Sequence, residues 1–313
     1  MRRILLSTDG SQHSLRSARY VAELYRDVSD FHTTILTISP TIPPIYREEG
    51  HVPAIRRQFM DWKKRREEEA RDYTDAAAEI LLMRGFKKSH IKIRYSQQTV
   101  GVARDIIRAV DAGKYDACVV GKKGMGWFDS VFLGSITGKL LEISEDHPVW
   151  LVEGKVRGAR KVLIAMDETT HAVDLARYAG TMLKGVDGVV FDFYHYCTPF
   201  TEGLSPQERK KLKELESLAL KREKEEMTHF FDYAKKALLD MGFADKSIRY
   251  DFQVDQSAHP KKVTEAILTH LKKGGYGTLL IGRKGATHAR EFRIGSVAMR
   301  TIAGAKDCAV WVV

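Results

Sequence analysis

Short runs of consecutive apolar residues alternate along this chain with longer stretches in which apolar positions recur every three or four residues. The runs predict strands at 3–8, 33–38, 90–95, 116–121 and 148–152, then at 161–166, 188–194, 247–253, 277–282 and 308–313. The periodic stretches predict helices at 12–26, about 55–84, 101–112 and 135–144, then at 170–183, about 206–241, 260–273 and 296–304. Gly85 and Gly242 stand where a glycine would stop each long helix. Strands that are apolar throughout, rather than at every second position, belong to a parallel sheet covered on both faces. The fold class is therefore α/β, with a doubly wound five-stranded parallel sheet in each half.

The order of elements is the same in the two halves, and so is much of the spelling. Ile4-Leu5-Leu6-Ser7-Thr8-Asp9 is echoed by Val162-Leu163-Ile164-Ala165-Met166-Asp167, with the two acids 158 residues apart. Val149-Trp150-Leu151-Val152 is echoed by Val310-Trp311-Val312-Val313. This is a tandem duplication, with domains expected at 1–154 and 155–313. The polar, basic stretch from Glu153 to Arg160 joins them.

The most specific repeat is a glycine loop. Gly121-Lys122-Lys123-Gly124 is followed nine residues later by Gly134-Ser135, and Gly282-Arg283-Lys284-Gly285 nine residues later by Gly295-Ser296. Each copy joins a predicted strand to a predicted helix, where glycines let backbone N–H groups and a helix N-terminus approach an anion. Ligands of such sheets bind beyond the carboxyl ends of the strands, where strand order reverses. Asp9 and the loop fall there together if strands one and four are neighbours. A carboxylate suits ribose hydroxyls or an adenine edge and loop amides suit phosphates, so the expected ligand is a nucleotide, ATP ahead of a dinucleotide. The plainer role for Asp9, capping the helix that follows, is weighed against this.

These residues resemble the universal stress protein family, and specifically its ATP-binding branch. The family signature, glycine, two residues, glycine, nine residues, glycine, then serine or threonine, is matched by both loops without a gap. The resemblance spans nearly the whole chain as two family domains and implies an adenine nucleotide alpha hydrolase-like fold. It implies that Asp9 and Asp167 contact adenosine. It implies that Val120, Gly121 and Gly124, with Ile281, Gly282 and Gly285, line the nucleotide. Phosphates would be held by Gly134, Ser135 and Thr137 in the first half and by Gly295 and Ser296 in the second. Ala298 stands where Thr137 stands, and Ala165 where Ser7 stands, so the second site is expected to be the weaker. The implied cofactor is ATP, ADP or AMP, with Mg2+ as a companion. Family members dimerise through the last strand, which implies that the two halves pair through theirs.

Composition narrows the alternatives. Hydrophobic residues make up 43% and charged residues 29%, the balance of a folded soluble protein. No apolar stretch approaches the 18 or so residues of a membrane span, and the segment after Met1-Arg2-Arg3 turns polar after Leu6, unlike a signal peptide. The expected location is cytoplasmic. Cys118, Cys197 and Cys308 are far apart and read as buried thiols. His195 and Cys197, two apart near a strand end, have no counterpart in the first half and read as packing. No nucleophile–base pair, carboxylate pair or metal-ligand spacing is present, so no catalytic or metal residues are assigned. Gly134 to Leu140 lacks the spacing and the hydroxyl of a P-loop.

The net charge is +10, but lysines and arginines alternate with acids along the helices without interleaved aromatics. That argues against nucleic acid. Lys122, Lys123, Arg283 and Lys284 flank the proposed phosphates. The two long helices, 55–84 and 206–241, offer surfaces for a second copy or a protein partner. Near 50 Å, the later helix would outreach the sheet, so its first half is expected to project or break. The proline-rich stretch from Pro40 to Pro53 is a candidate flap. The leading function is an adenine-nucleotide-binding stress-response or signalling switch. A slow ATPase or self-phosphorylating enzyme, and a basic scaffold without nucleotide, are the alternatives.

Overall fold

The computed structural model describes residues 2–28, 30–122, 135–144, 147–167, 171–200, 204–255, 262–283 and 294–313, with the backbone alone at 135, 171 and 206. The chain forms two compact units, Met1–Gly154 and Lys155–Val313.

In the first unit the order is β1 (Arg2–Ser7), α1 (Gln12–Leu24), β2 (Phe31–Ser39), α2 (Pro44–Glu48), α3 (Pro53–Leu82), β3 (Ile91–Gln97), α4 (Val102–Gly113), β4 (Ala117–Gly121), α5 (Ser135–Ile143) and β5 (Val149–Val152). All strand pairs are parallel, in the spatial order β3-β2-β1-β4-β5. The chain winds outward in one direction from β1, then returns to wind outward in the other. Right-handed crossovers therefore place α1 and α3 on one face and α4 and α5 on the opposite face. Strand order reverses between β1 and β4, which pair through Ile4–Ala117, Leu5–Cys118 and Leu6–Val119.

The second unit repeats this with β6 (Lys161–Ala165), α6 (His171–Leu183), β7 (Val190–Cys197), α7 (Pro206–Asp240), β8 (Ile248–Val254), α8 (Val263–Gly274), β9 (Thr278–Ile281), α9 (Ser296–Gly304) and β10 (Ala309–Val312). Its strands are likewise parallel, in the order β8-β7-β6-β9-β10. The doubly wound α/β fold expected from the apolar runs is the fold of both units. One α-helix was not foreseen: α2 occupies part of the proline-rich stretch, started by Pro44 at a position where a missing N–H costs nothing.

The repeated tryptophans are core residues. Trp150 and Trp311 are fully buried, and each receives a tyrosine edge-on, Tyr20 at 6.4 Å and Tyr178 at 6.0 Å. Gly85 and Gly242 adopt φ of +88° and +94°. The N–H groups of Phe86 and Phe243 then reach back to Leu81 and Leu238 carbonyls at 3.2 Å, closing each long helix.

The long helices outrun the sheets. In α3 every buried residue lies from Ala70 onward. In its more exposed first half, Phe59 and Trp62 stack on one another and against Tyr46 of α2. Helix α7 is continuous, opened by a reciprocal Ser205–Glu208 capping box. Met227, Ala234 and Leu238 are its buried residues, so its N-terminal half projects rather than breaks. Among the described residues no helix is long and apolar enough to cross a membrane.

Candidate functional site

In the first unit, β1 ends in a chain reversal that the next residues hold in place. Thr8 still pairs with β2, its N–H donating to Leu36 O at 2.9 Å and its carbonyl accepting the Thr37 hydroxyl at 3.0 Å. The backbone then turns at Gly10, with φ of +73°. A side chain there is strained by that φ and blocked by the Tyr73 ring of α3, 2.0 Å from where a Cβ would stand. Ser11 caps α1, accepting the Ser14 N–H at 3.3 Å.

Asp9 sits at the crest of this turn and accepts the Ser11 N–H at 3.0 Å. Burial alone would raise its carboxyl, but hydrogen bonds from Ser11 and Ser14 outweigh that and hold it below the usual carboxylate range. It is thus an anion at neutral pH. The capping role weighed for Asp9 is real in part: it steadies the turn, while the helix N-cap itself is Ser11. A carboxylate accepts several donors, so the two serines do not exhaust it.

Beside Asp9 lies a cavity of about 240 Å3 at the switch point, lined by Ser7, Asp9, Ser11, His13, Ser14, Val102, Ile106, Val120, Gly121, Ile136 and Thr137. Of the residues expected to form the site, Asp9, Val120, Gly121 and Thr137 therefore meet around one space. Val120 and Thr137 are buried, and Thr137 lies in the first turn of α5, whose N-terminus carries partial positive charge. Gly124 and Gly134 lie outside the described residues, as does the Ser135 side chain.

Gly121 is also needed on steric grounds. A Cβ on it would stand 2.5 Å from the His13 carbonyl carbon and 2.8 Å from the Ser14 nitrogen. The glycine lets the end of β4 press against the first turn of α1, closing one wall of the cavity.

Two wall residues, His13 and Ser11, carry polar chemistry that the sequence alone did not mark, beside the expected hydroxyl of Ser7. The Nδ1 of His13 is buried and has no hydrogen-bond partner among the described residues, an uncommon condition for a polar nitrogen. His171 follows it at the same 158-residue interval as Asp167 follows Asp9, which is the signal that marks it. Ser7 and Ser11 add hydroxyls.

Val102 and Ile106 come from α4, whose entry is fixed by the buried Asp105. Asp105 accepts the Thr99 hydroxyl at 2.6 Å and the N–H groups of Thr99, Gly101 and Val100 at 2.8, 3.3 and 3.4 Å. Burial alone would raise its carboxyl, and these bonds, led by the Thr99 hydroxyl, hold it low.

Lys122 is buried against a carboxylate. It is 2% exposed and its ammonium lies 2.5 Å from Glu153 beyond β5, so this loop lysine is a buried ion-pair partner. Lys123 lies outside the described residues.

In the second unit Asp167 follows β6 as Asp9 follows β1, and Ile281 is buried at the end of β9 with Gly282 beside it. The Gly295 N–H donates to Arg283 O at 2.7 Å, joining the two ends of the glycine loop. Gly295 caps α9 with φ of −65°, Ser296 is exposed, and Ala298 is buried where Thr137 is buried in the first unit. Gly285 and Lys284 lie outside the described residues.

His195 and Cys197 do more than pack. His195 takes the place of Thr37, its Nδ1 3.3 Å from Met166 O, and its Nε2 meets Glu223 of α7 at 2.8 Å. The Cys197 thiol donates to the same carboxylate at 2.8 Å. Among the described residues no group of three His, Cys, Asp or Glu side chains is arranged to hold a metal ion.

The family model of the universal stress protein family matches residues 1–153 and again 158–313. Among solved structures, a universal stress protein from Archaeoglobus fulgidus DSM 4304 is 16% identical, with 99% of this chain and 97% of that chain covered and a TM-score of 0.62. A protein of unknown function from Pseudomonas aeruginosa PAO1 is 14% identical, covers 100% of this chain and 92% of its own, and has a TM-score of 0.57. At such identities the likeness is one of fold. No curated protein matches the chain. With the family pattern matched in each half and the same doubly wound sheet built twice, the chain belongs to the universal stress protein family as two family domains in tandem.

Proposed function

We propose that this chain binds an adenine nucleotide, ATP foremost, at the carboxyl end of the first unit's sheet, and serves as a nucleotide-dependent switch in a stress response. The observation that carries this reading is the cavity at the switch point, lined together by the anionic Asp9, the Thr137 hydroxyl and His13, whose Nδ1 has no partner among the described residues. The donor set fits the group. Asp9 suits a ribose or adenine donor, Val120, Val102 and Ile106 suit the flat base, and Thr137 at the start of α5 suits a phosphate. A volume of about 240 Å3 is below the usual range for a complete ligand pocket, as expected if the phosphates extend past it over the helix N-terminus. Mg2+ would then arrive on the phosphates of the nucleotide.

The second unit offers Asp167, Ile281, Gly282, Gly295 and Ser296 for a weaker site, because Ala298 and Ala165 each remove a hydroxyl. A route from site to surface supports the switch. Tyr73 of α3 rests on Gly10, next to Asp9, and the same helix carries the half-buried cluster of Phe59 and Trp62. A nucleotide that prefers one setting of that contact shifts the helix population, and only by its difference in affinity for the two settings.

Titration calorimetry with ATP, ADP and AMP, with and without Mg2+, tests the reading against Asp9→Ala and Asp167→Ala variants. Saturable binding lost site by site is the expected result. Absence of heat and of thermal stabilisation at millimolar nucleotide overturns it and leaves the basic scaffold. Phosphate release that needs Mg2+ and Asp9 would favour the slow ATPase instead.

A further inference from the structure

We propose that the second unit carries a separate pocket for a small organic phosphate, at the amino end of its sheet. An open pocket of about 540 Å3 lies beneath the C-terminal ends of α8 and α9, with exposed walls that include Lys155, Arg157, Lys272 and Lys306. Asp167 and Ile281 lie at the other end of the strands, the length of β9 away, about 13 Å. The volume falls within the range of small-molecule sites.

The cation-bearing walls are built rather than loose. The Lys155 N–H donates to Asp307 Oδ1 at 2.9 Å, and the Gly277 N–H donates to Gly158 O at 3.0 Å. A Cβ on Gly277 would stand 2.3 Å from the Arg157 carbonyl oxygen, so the segment bearing Arg157 lies directly against the start of β9. Leu268, Leu271 and the Tyr276 ring supply an apolar floor.

The charge in the pocket is unbalanced. Among the described residues none of the four cationic groups lies within ion-pair distance of a carboxylate, and the one acid in the wall, Asp307, is already engaged by a backbone N–H. Lysines near helix C-termini commonly serve to neutralise the last carbonyls. For α8 that task falls to a different residue, Lys161, whose ammonium donates to Gly274 O at 2.5 Å. Two helix C-termini at about half a negative charge each, with Asp307, still leave the four cations in excess by roughly two charges. A phosphate ester carries that charge, and its organic part would lie on the leucines.

The test uses the full chain, titrated by calorimetry with phenyl phosphate and inorganic pyrophosphate at low and moderate salt. The comparison is between K272E/K306E and K210E/K211E, a reversal of the same charge on exposed positions of α7. The expected result is saturable binding of both probes, weakened at least about tenfold by the first pair and left unchanged by the second. Equal losses in the two pairs would show only the general field of a basic protein and would overturn the proposal. So would binding untouched by K272E/K306E, or binding confined to an oligonucleotide while neither probe titrates.

Discussion

Asp105 holds Thr99 twice, through its hydroxyl at 2.6 Å and its N–H at 2.8 Å. The pair fastens the loop between β3 and α4 to the helix that brings Val102 and Ile106 to the cavity wall. In the second unit, aligning Val263 with Val102 places Ala266 at the position of Asp105, so that helix entry lacks the same fastening.

Replacing Asp105 by Asn leaves several N–H donors with a poorer acceptor and is expected to cost about 1–3 kcal/mol, read by urea denaturation. Nucleotide affinity of the first site should fall with it. The sign with pH follows from the carboxyl's depressed folded value. Its contribution is complete above the ordinary carboxylate pKa of about 3.9 and is lost as pH falls through the lower folded value. The stability gap between the natural chain and Asp105→Asn should therefore be constant near neutrality and close in acid. A gap that widens in acid would refute this assignment.

Gly10→Ala meets two obstacles, the positive φ and the Tyr73 ring. The φ by itself costs about 1–2 kcal/mol, and the ring adds to it. A double-mutant cycle with Tyr73→Ala separates them. Part of the loss should return in the double variant, and the remainder is the cost of the backbone conformation.

Lys122 and Glu153 make opposite predictions for stability and for binding. Lys122→Ala leaves the Glu153 carboxylate without the ammonium beside it, at a cost of about 3–5 kcal/mol, whereas Lys122→Met with Glu153→Leu should recover most of it. Nucleotide affinity of the refolded double variant should match that of the natural chain. A large loss of affinity would return Lys122 to the phosphate.

The two sites should respond oppositely to an exchange of one side chain. Thr137→Val removes a hydroxyl from the first site and should weaken nucleotide there about tenfold, while Ala298→Thr should strengthen the second. Titration of each variant in an Asp167→Ala or Asp9→Ala background reads one site at a time.

Much of the architecture was legible in the chain because it is encoded locally. Runs such as Ile4–Leu6 and Val162–Ile164 are apolar at every position, which a strand buried on both faces requires. Gly85 and Gly242 end their helices through a backbone conformation that glycine adopts at little cost. Duplication did the rest, since Asp9 and Asp167, or Trp150 and Trp311, mark equivalent places without reference to coordinates. Parts of the candidate site were legible for the same reason. Asp9, Val120, Gly121 and Thr137 sit at element ends whose positions follow from the order of strands.

What escaped the sequence depends on pairs brought together from far apart. Lys122 reads as a loop cation until Glu153 is seen beside it, 31 residues later. His195 and Cys197 read as packing until α7 lays Glu223 over both. His13 is one more helical residue until β4 closes on its backbone through Gly121. Period and punctuation determined the strands, the helices and their doubling, because local geometry and burial impose them residue by residue. Whether a given charge faces a ligand, a partner side chain or solvent was decided only by the tertiary structure, because electrostatic pairing depends on distance in space and the chain records only distance along itself.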